Sequence, residues 1–504
     1  MQKKATHRLK EGFFVKKFKK AIALSLSLAM GLSLAACGDK KEETTTAATT
    51  AAATEATTEA AQDTEAPAET EAQDTEAPAE TEAAAGADFS GDGKVLNIYC
   101  WNEEFKSRLT DHYPGYEKVD DTTGKIGDIT VKFNITPSEN NAYQNNLDAT
   151  LAEQADAADD DKIDLFLVEA DYALKYVNTD YTMNVADLGI TDAELADQYQ
   201  YTKDVVTSSD GALKGVSWQG CPGVLIYNRA MATEVFGSDD PAEVQKNFSD
   251  WGKFKESAKA LKEKGYYVNA TVNDAYRVFS NNVSSPWVVD GKIVIDQAMK
   301  DWVDLSKELV DAGETTTEGL WSDTWNKGFM KDSDLPTFSY FGPAWLIDFC
   351  MAADDAGSIA HDGGWAATEG PQGFYWGGTW ICAATGTDNP ALVADIMRQL
   401  TCNPDVMKEI VVADNDFVNN KPTMEAMAQD TSYGDAILGG QNALAMFCAG
   451  ADKIDLSNIS VYDQGCNEKF QQAMKNYFEG TSTYDEALEA FYTDVQTTYP
   501  ELTH

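Results

Sequence analysis

From Val95 onward two hydrophobic periodicities alternate along the chain, and that alternation limits its folding more than any other feature. Val95-Leu96-Asn97-Ile98-Tyr99 reads as a strand. Ile129, Val131, Phe133 and Ile135 alternate with polar residues, the pattern of a half-buried strand. Ile163-Asp164-Leu165-Phe166-Leu167-Val168 is nearly continuous apolar, which suits a strand covered on both faces. Helical spacing intervenes at Tyr143, Leu147 and Leu151, and again at Trp251, Phe254, Ala258 and Leu261, with Ser249 as the expected N-cap and Gly265 as the stop. Further helices are expected over 301–312 with Gly313 as its end, from Pro390 to Arg398, over 466–478 and over 484–499. Such a pattern predicts an α/β fold with largely parallel sheets. Ligands of such folds sit beyond the carboxyl ends of the strands.

The foldable part is bounded on its N-terminal side. Residues 41–86 are nearly all Thr, Ala and Glu, and Ala61–Glu71 is repeated identically at 72–82. A segment without large apolar residues cannot bury enough surface to offset its chain entropy. As a coil, 38–88 spans about 40 Å. What remains, 89–504, exceeds the roughly 250–300 residues at which one core stops growing, so two lobes are expected.

Ahead of the linker, Lys16, Lys17, Lys19 and Lys20 flank an apolar run from Ala21 to Ala36. The run is shorter than the ~20 residues of a membrane-spanning helix, and its layout is that of an export signal. Leu34-Ala35-Ala36-Cys37 resembles the lipobox of bacterial lipoproteins. The resemblance implies cleavage before Cys37 and acylation of its thiol, palmitate-type chains holding the protein to the outer, extracellular face of the cell membrane. Residues 1–36 would then be a lipoprotein signal peptide, and 37–88 an anchor and disordered linker.

Composition excludes several functions. The net charge of −44 becomes −51 when 1–36 leave, because they hold eight Lys/Arg and one Glu. Arg108, Arg229, Arg277 and Arg398 are the only arginines left, so nucleic acid and anionic lipid are poor partners. His112, His361 and His504 show no metal spacing, and no Gly-rich phosphate loop is present; no cofactor and no metal are expected. Cys100, Cys221, Cys350, Cys382, Cys402, Cys448 and Cys466 are odd in number and lack CxxC spacing, which favours buried free thiols over a disulfide framework.

Trp101-Asn102-Glu103 follows the first strand, and Glu169-Ala170-Asp171 follows the strand at Ile163. Both place aromatic or carboxylate groups where a crevice would lie, although a carboxylate at a helix start also favours the macrodipole. Trp218, Trp345, Trp376 and Trp380 stand beside Gly, Pro and polar residues, whereas Trp251 and Trp302 lie on helix stripes and read as packing. Indole faces stack on the C–H face of a pyranose, and carboxylates accept its hydroxyl hydrogens. The same pairing suits a polyamine, and loop anchoring competes with both.

The order of elements resembles the carbohydrate-binding group, related to maltose-binding protein, of the extracellular solute-binding proteins of bacterial ABC importers (family 1). Its carriers are Leu96–Asn102, Ile163–Glu169, Leu213–Trp218 with Leu225–Asn228, Tyr340–Trp345, Gly377–Trp380, and Asn389-Pro390 with Leu400–Pro404. The resemblance implies a two-lobed, hinge-connected type II periplasmic-binding-protein-like fold, with 89–220 and 377–420 in one lobe and 221–376 and 421–504 in the other. It implies a monomer, no chemistry on the ligand, and delivery of a disaccharide or oligosaccharide to permease subunits driven by a cytoplasmic ATPase. It also implies ligand contacts at Trp101, Asn102, Glu103, Asp171 and Trp345 and, more faintly, at Asn273, Asp274, Tyr276 and Arg277. The competing readings are a binder of a polyamine or peptide, and an anchored glycosidase using two carboxylates.

Overall fold

The computed structural model describes residue 89 and residues 91–504. The expected signal peptide, Cys37 and the expected linker lie outside the described residues.

In chain order the strands are β1 (Val95–Cys100), β2 (Tyr116–Lys118), β3 (Thr123–Ile126), β4 (Ile129–Ile135), β5 (Leu165–Glu169), β6 (Val216–Ser217) and β7 (Pro222–Asn228). There follow β8 (Tyr267–Asn269), β9 (Val288–Val289), β10 (Lys292–Ile293), β11 (Thr337–Gly342), β12 (Trp365–Thr368), β13 (Phe374–Tyr375) and β14 (Thr379–Ala383). One sheet has the order β2-β3-β4-β1-β5-β14-β6; a second has the order β12-β7-β11-β8, with β13 also on β7. β9 and β10 form a small hairpin.

The expectation of largely parallel sheets needs correction, because both are mixed. β1 is parallel to β4 and β5, and β11 to β8, but β14 runs antiparallel to β5 and β7 antiparallel to β11 and β12. The register gives the reason. Thr379, the first residue of β14, pairs with Glu169, the last of β5; Val224 near the start of β7 pairs with Gly342, the end of β11. Each strand enters its sheet from the carboxyl edge, having crossed from the other sheet, so it must run backwards.

The crossing segments lie side by side. Gly220 N–H donates to Phe417 O at 2.9 Å, Asn419 N–H to Trp218 O at 2.7 Å and Trp376 N–H to Cys221 O at 3.2 Å. Helices clothe both sheets. Pro390–Thr401 packs on β14 and β6, and Pro404–Asp414 on the helix Glu104–His112. Leu444–Ala451 lies on β7, while Asp463–Phe478 joins Tyr484–Thr498 and Gln297–Ala312. Local chemistry moves several expected ends. Asp250, not Ser249, caps Trp251–Glu263, its carboxylate accepting from Lys253 N–H at 2.9 Å. Asp296 caps the helix that ends at Gly313, so that helix starts at Gln297 rather than 301. The seven cysteines among the described residues are free thiols. Among the described residues no helix is long and apolar enough to cross a membrane, and no His/Cys/Asp/Glu group could hold a metal ion.

Candidate functional site

Loops from both sheets meet at the carboxyl edges. In the first sheet β1 hands over to Trp101, whose half-buried ring stands edge-on to Tyr143 and Tyr172, centroids 5.5 and 6.4 Å away. Asn102 Oδ1 accepts Glu104 N–H at 3.1 Å, and Glu103 is exposed and paired with Lys106. At the end of β5, Glu169 Oε2 accepts Asp171 N–H at 2.8 Å.

The second sheet answers with Arg277, on the short helix Tyr276–Ser280. Its Nη1 donates to Asp171 Oδ1 at 2.7 Å, and Nη2 donates to Oδ2, so a bidentate ion pair joins loops of the two sheets. Asp463 and Glu468 also act on this pair electrostatically. One guanidinium therefore serves four carboxylates. Burial pushes Glu169 well above the usual carboxylate range and the charge of Asp171 adds to it, with Arg277 opposing. Burial likewise pushes Asp463 up to about 6. Burial opposes the charge on Arg277, but Asp171 outweighs it and the guanidinium is held more firmly protonated than usual.

A cavity beside this pair is lined by Asp171, Arg277, Ser280, Asn281, Tyr375 and Asp463, among others. Two hydroxyls in its wall, Ser280 Oγ and Tyr375 Oη, are buried without a protein partner. A buried hydroxyl left unpaired costs about 1–3 kcal/mol, so these two favour a ligand that brings hydrogen-bonding groups.

An aromatic cluster lies on the neighbouring crossover. Trp345, on the helix Ala344–Cys350, donates from Nε1 to Trp376 O at 3.2 Å. Its ring is 5.1 Å from Trp376 and 6.1 Å from Trp321; Trp321 is 5.9 Å from Trp376 and 5.0 Å from Trp325. Gly377 and Gly378 have φ of +75° and +104°. A Cβ at Gly378 would lie 3.2 Å from the Trp380 ring, so both backbone angle and space require glycine there. Burial and the charges of Asp416, Glu104 and Glu169 push the Cys221 thiol far up, with a hydrogen bond from Trp345 opposing. Aromatic and carboxylate groups thus converge on one crossover. Its other flank is also charged. Glu104 Oε1 and Asp416 Oδ2 accept from Gln219 Nε2 at 2.6 and 3.1 Å, and Arg108 Nη1 binds Asp414 at 2.9 Å. Burial pushes Glu104 up to about 7, with Arg108 opposing.

Not every sequence-predicted residue reaches this place. Trp218 is fully buried against Phe105, and Trp380 is buried with Nε1 donating to Thr202 O at 2.7 Å. Tyr276 is buried with its hydroxyl donating to Asn467 Oδ1 at 2.7 Å. These three are corrected to core: the crossovers bury Trp218 and Trp380 between the sheets, Tyr276 packs edge-on to Trp302 at 4.9 Å, and loop-like neighbours in sequence do not reveal it. Trp376 is nearly buried and Trp345 and Asn273 half-buried. Asp171, expected as a free acceptor, has both oxygens on Arg277. Trp321, Ser280, Tyr375 and Asp463 were not foreseen. Trp321-Ser322-Asp323 carries the same loop-tryptophan signal as the others and was the one findable member.

The chain belongs to the bacterial extracellular solute-binding proteins, whose family model matches residues 117–435. It is similar in structure to an extracellular solute-binding protein of family 1, with 20% identity, 80% of this chain and 99% of that one covered, and a TM-score of 0.65. It is also similar to an ABC-transporter-associated binding protein of B. animalis subsp. lactis Bl-04, in complex with beta-1,6-galactobiose (17% identity, 81% and 98% covered, TM-score 0.60). A third is the galacto-N-biose/lacto-N-biose I-binding protein of Bifidobacterium longum, in complex with lacto-N-biose (15% identity, 82% and 99% covered, TM-score 0.59). These likenesses establish the fold as the two-lobed type II α/β architecture. The family and these relatives are binding proteins rather than enzymes. No curated protein matches the chain in sequence.

Proposed function

We propose that this chain is the solute-binding component of an ABC importer, and that it captures a neutral carbohydrate of two or more rings between its lobes and passes it to the permease. The observation that carries the reading is the meeting, at one crossover, of a tryptophan cluster with carboxylates from both lobes and two unpaired hydroxyls from one. Indoles supply a surface for C–H faces, and carboxylates accept hydroxyl hydrogens. Structural relatives in complex with galactobiose and lacto-N-biose support the same class of ligand. The lobes are 89–220 with 377–420 and 221–376 with 421–504, hinged near Gly220, Gly377 and Asn420. The protein acts as a monomer without chemistry on its ligand, held to the outer face of the membrane through lipidated Cys37.

A cationic ligand such as a polyamine is the alternative, favoured by the excess of carboxylates around Arg277. A thermal-shift screen of sugars and amines, followed by titration at low and high salt, separates the two. Ion pairs weaken with salt, whereas a neutral sugar brings no charge to screen. Hits confined to amines, or a steep salt dependence, would overturn the carbohydrate reading.

A further inference from the structure

We infer that Trp321 is the residue that offers an open stacking face to the ligand, and that Trp345 is its buttress. The inference rests on the carbohydrate reading above and sharpens it to one specificity-determining side chain. All eleven tryptophans are described, and Trp321 is the only exposed one, at 44%. Trp345 is half-buried, its Nε1 is committed to Trp376 O, and a Cβ added at Gly377 would meet its ring at 3.4 Å. Trp376 keeps only 8% of its surface. A pyranose needs open indole surface, and of the eleven tryptophans Trp321 exposes the most.

The position of Trp321 is built. It ends a loop that leaves the helix Gln297–Ala312 and runs past the carboxyl end of β8. Thr315 Oγ1 donates to Asn269 O at 3.1 Å, Thr316 Oγ1 to Ala270 O at 2.6 Å, and the Thr271 hydroxyl to Glu318 O. Those bonds tie the loop to the edge that also carries the turn leading to Arg277. The indole is then held by Trp325 edge-on at 5.0 Å, Trp376 tilted at 5.9 Å and Trp345 nearly parallel at 6.1 Å. Three aromatic neighbours fix its orientation before any ligand arrives, so little side-chain entropy is lost on binding.

The backbone adds a second observation. Trp321 has φ of +68°, the left-handed region that a bulky side chain adopts only at a cost and glycine adopts freely. Folding would be better served by glycine here, and solubility by a polar residue. A strained, exposed, pre-oriented indole is accounted for if its free face meets a ligand. It selects for a ring with one continuous C–H face over open-chain polyols of equal hydroxyl content.

The test uses the mature chain and a probe panel of maltose, lactose, cellobiose and beta-1,6-galactobiose, with wild type, Trp321→Ala, Trp321→Phe, Trp321→Leu and Trp321→Gly compared by calorimetric titration. For whichever sugar binds wild type, we expect Trp321→Ala to lose about threefold to tenfold in affinity. Trp321→Phe should recover most of that loss and Trp321→Leu little, because leucine is apolar but has no π face. Trp321→Gly should lose affinity as Trp321→Ala does but melt at a higher temperature than Trp321→Ala, since glycine relieves the φ strain that alanine keeps. Unchanged affinity in Trp321→Ala, or recovery by leucine equal to that by phenylalanine, would overturn the assignment of Trp321 while leaving the carbohydrate reading intact. Binding of none of the four sugars by wild type would overturn both.

Discussion

Replacing Asp171 by Asn and Arg277 by Met, singly and together, isolates the ion pair that joins loops of the two sheets. Both side chains are mostly covered, with exposures of 26% and 19%. At an effective dielectric of about 20 a pair about 4 Å apart gains roughly 4 kcal/mol, before desolvation. Hydrogen bonds to charged groups net about 1.5–3 kcal/mol each, and the residual exposure trims the total. A coupling of about 2 kcal/mol between the two substitutions is therefore expected. Asp171→Asn alone should cost less than the roughly 3–5 kcal/mol of a stranded buried charge, because Glu169, Asp463 and Glu468 remain beside Arg277. The assay is a double-mutant cycle by urea unfolding at low salt, monitored separately by tryptophan fluorescence and circular dichroism so that any non-coincident lobe transitions are seen. A coupling below about 0.5 kcal/mol would refute the reasoning, since a bidentate pair this covered cannot be that weak.

Glu104→Gln should stabilise the protein at pH 8 by about 3 kcal/mol and change little at pH 4. The folded value of Glu104, about 7, lies above its ordinary one, so the folded state holds the proton longer and stability falls as pH rises from about 4.5 through 7; an unfolding midpoint equally pH-dependent in the variant would count against it. Small-angle scattering should show a smaller radius of gyration with saturating ligand, and a radius unmoved by confirmed binding would argue against hinge closure. Cys37→Ala should release the protein from membranes without altering ligand affinity; sedimentation of the variant with membranes would end the anchor reading.

Local patterns carried the elements well and their relations poorly. β1, β4 and the helix through Tyr143 fall where periodicity put them, because each buries one face against its neighbours. Strand direction did not follow, because β14 pairs with β5 across more than two hundred residues and nothing near Thr379 announces which edge it enters from. Asp171 was legible as a candidate from its place after a strand, and Arg277 only through the family resemblance. That they hold each other is a property of two loops 106 residues apart. Trp218 and Trp380 misled for the opposite reason: flanking glycines and glutamine suggested solvent, whereas crossovers between two sheets are among the most covered parts of the molecule. Ser280 and Tyr375 gave no signal at all, since an unpaired hydroxyl is visible only once its surroundings are known.

The backward strands have a consequence for how the molecule comes into being. β6 has β14 as its only partner, and β14 fills the place between β5 and β6. A growing chain that has released everything up to Tyr375 has all the strands of the second sheet, yet the first sheet still presents β5 as an open edge and leaves β6 unattached. The sheet that begins first therefore closes last, and its long-range closure should be the slow step of folding. An exposed strand edge in the meantime invites pairing with other chains. Truncation before Thr379 should then yield an aggregating fragment rather than a free-standing first lobe.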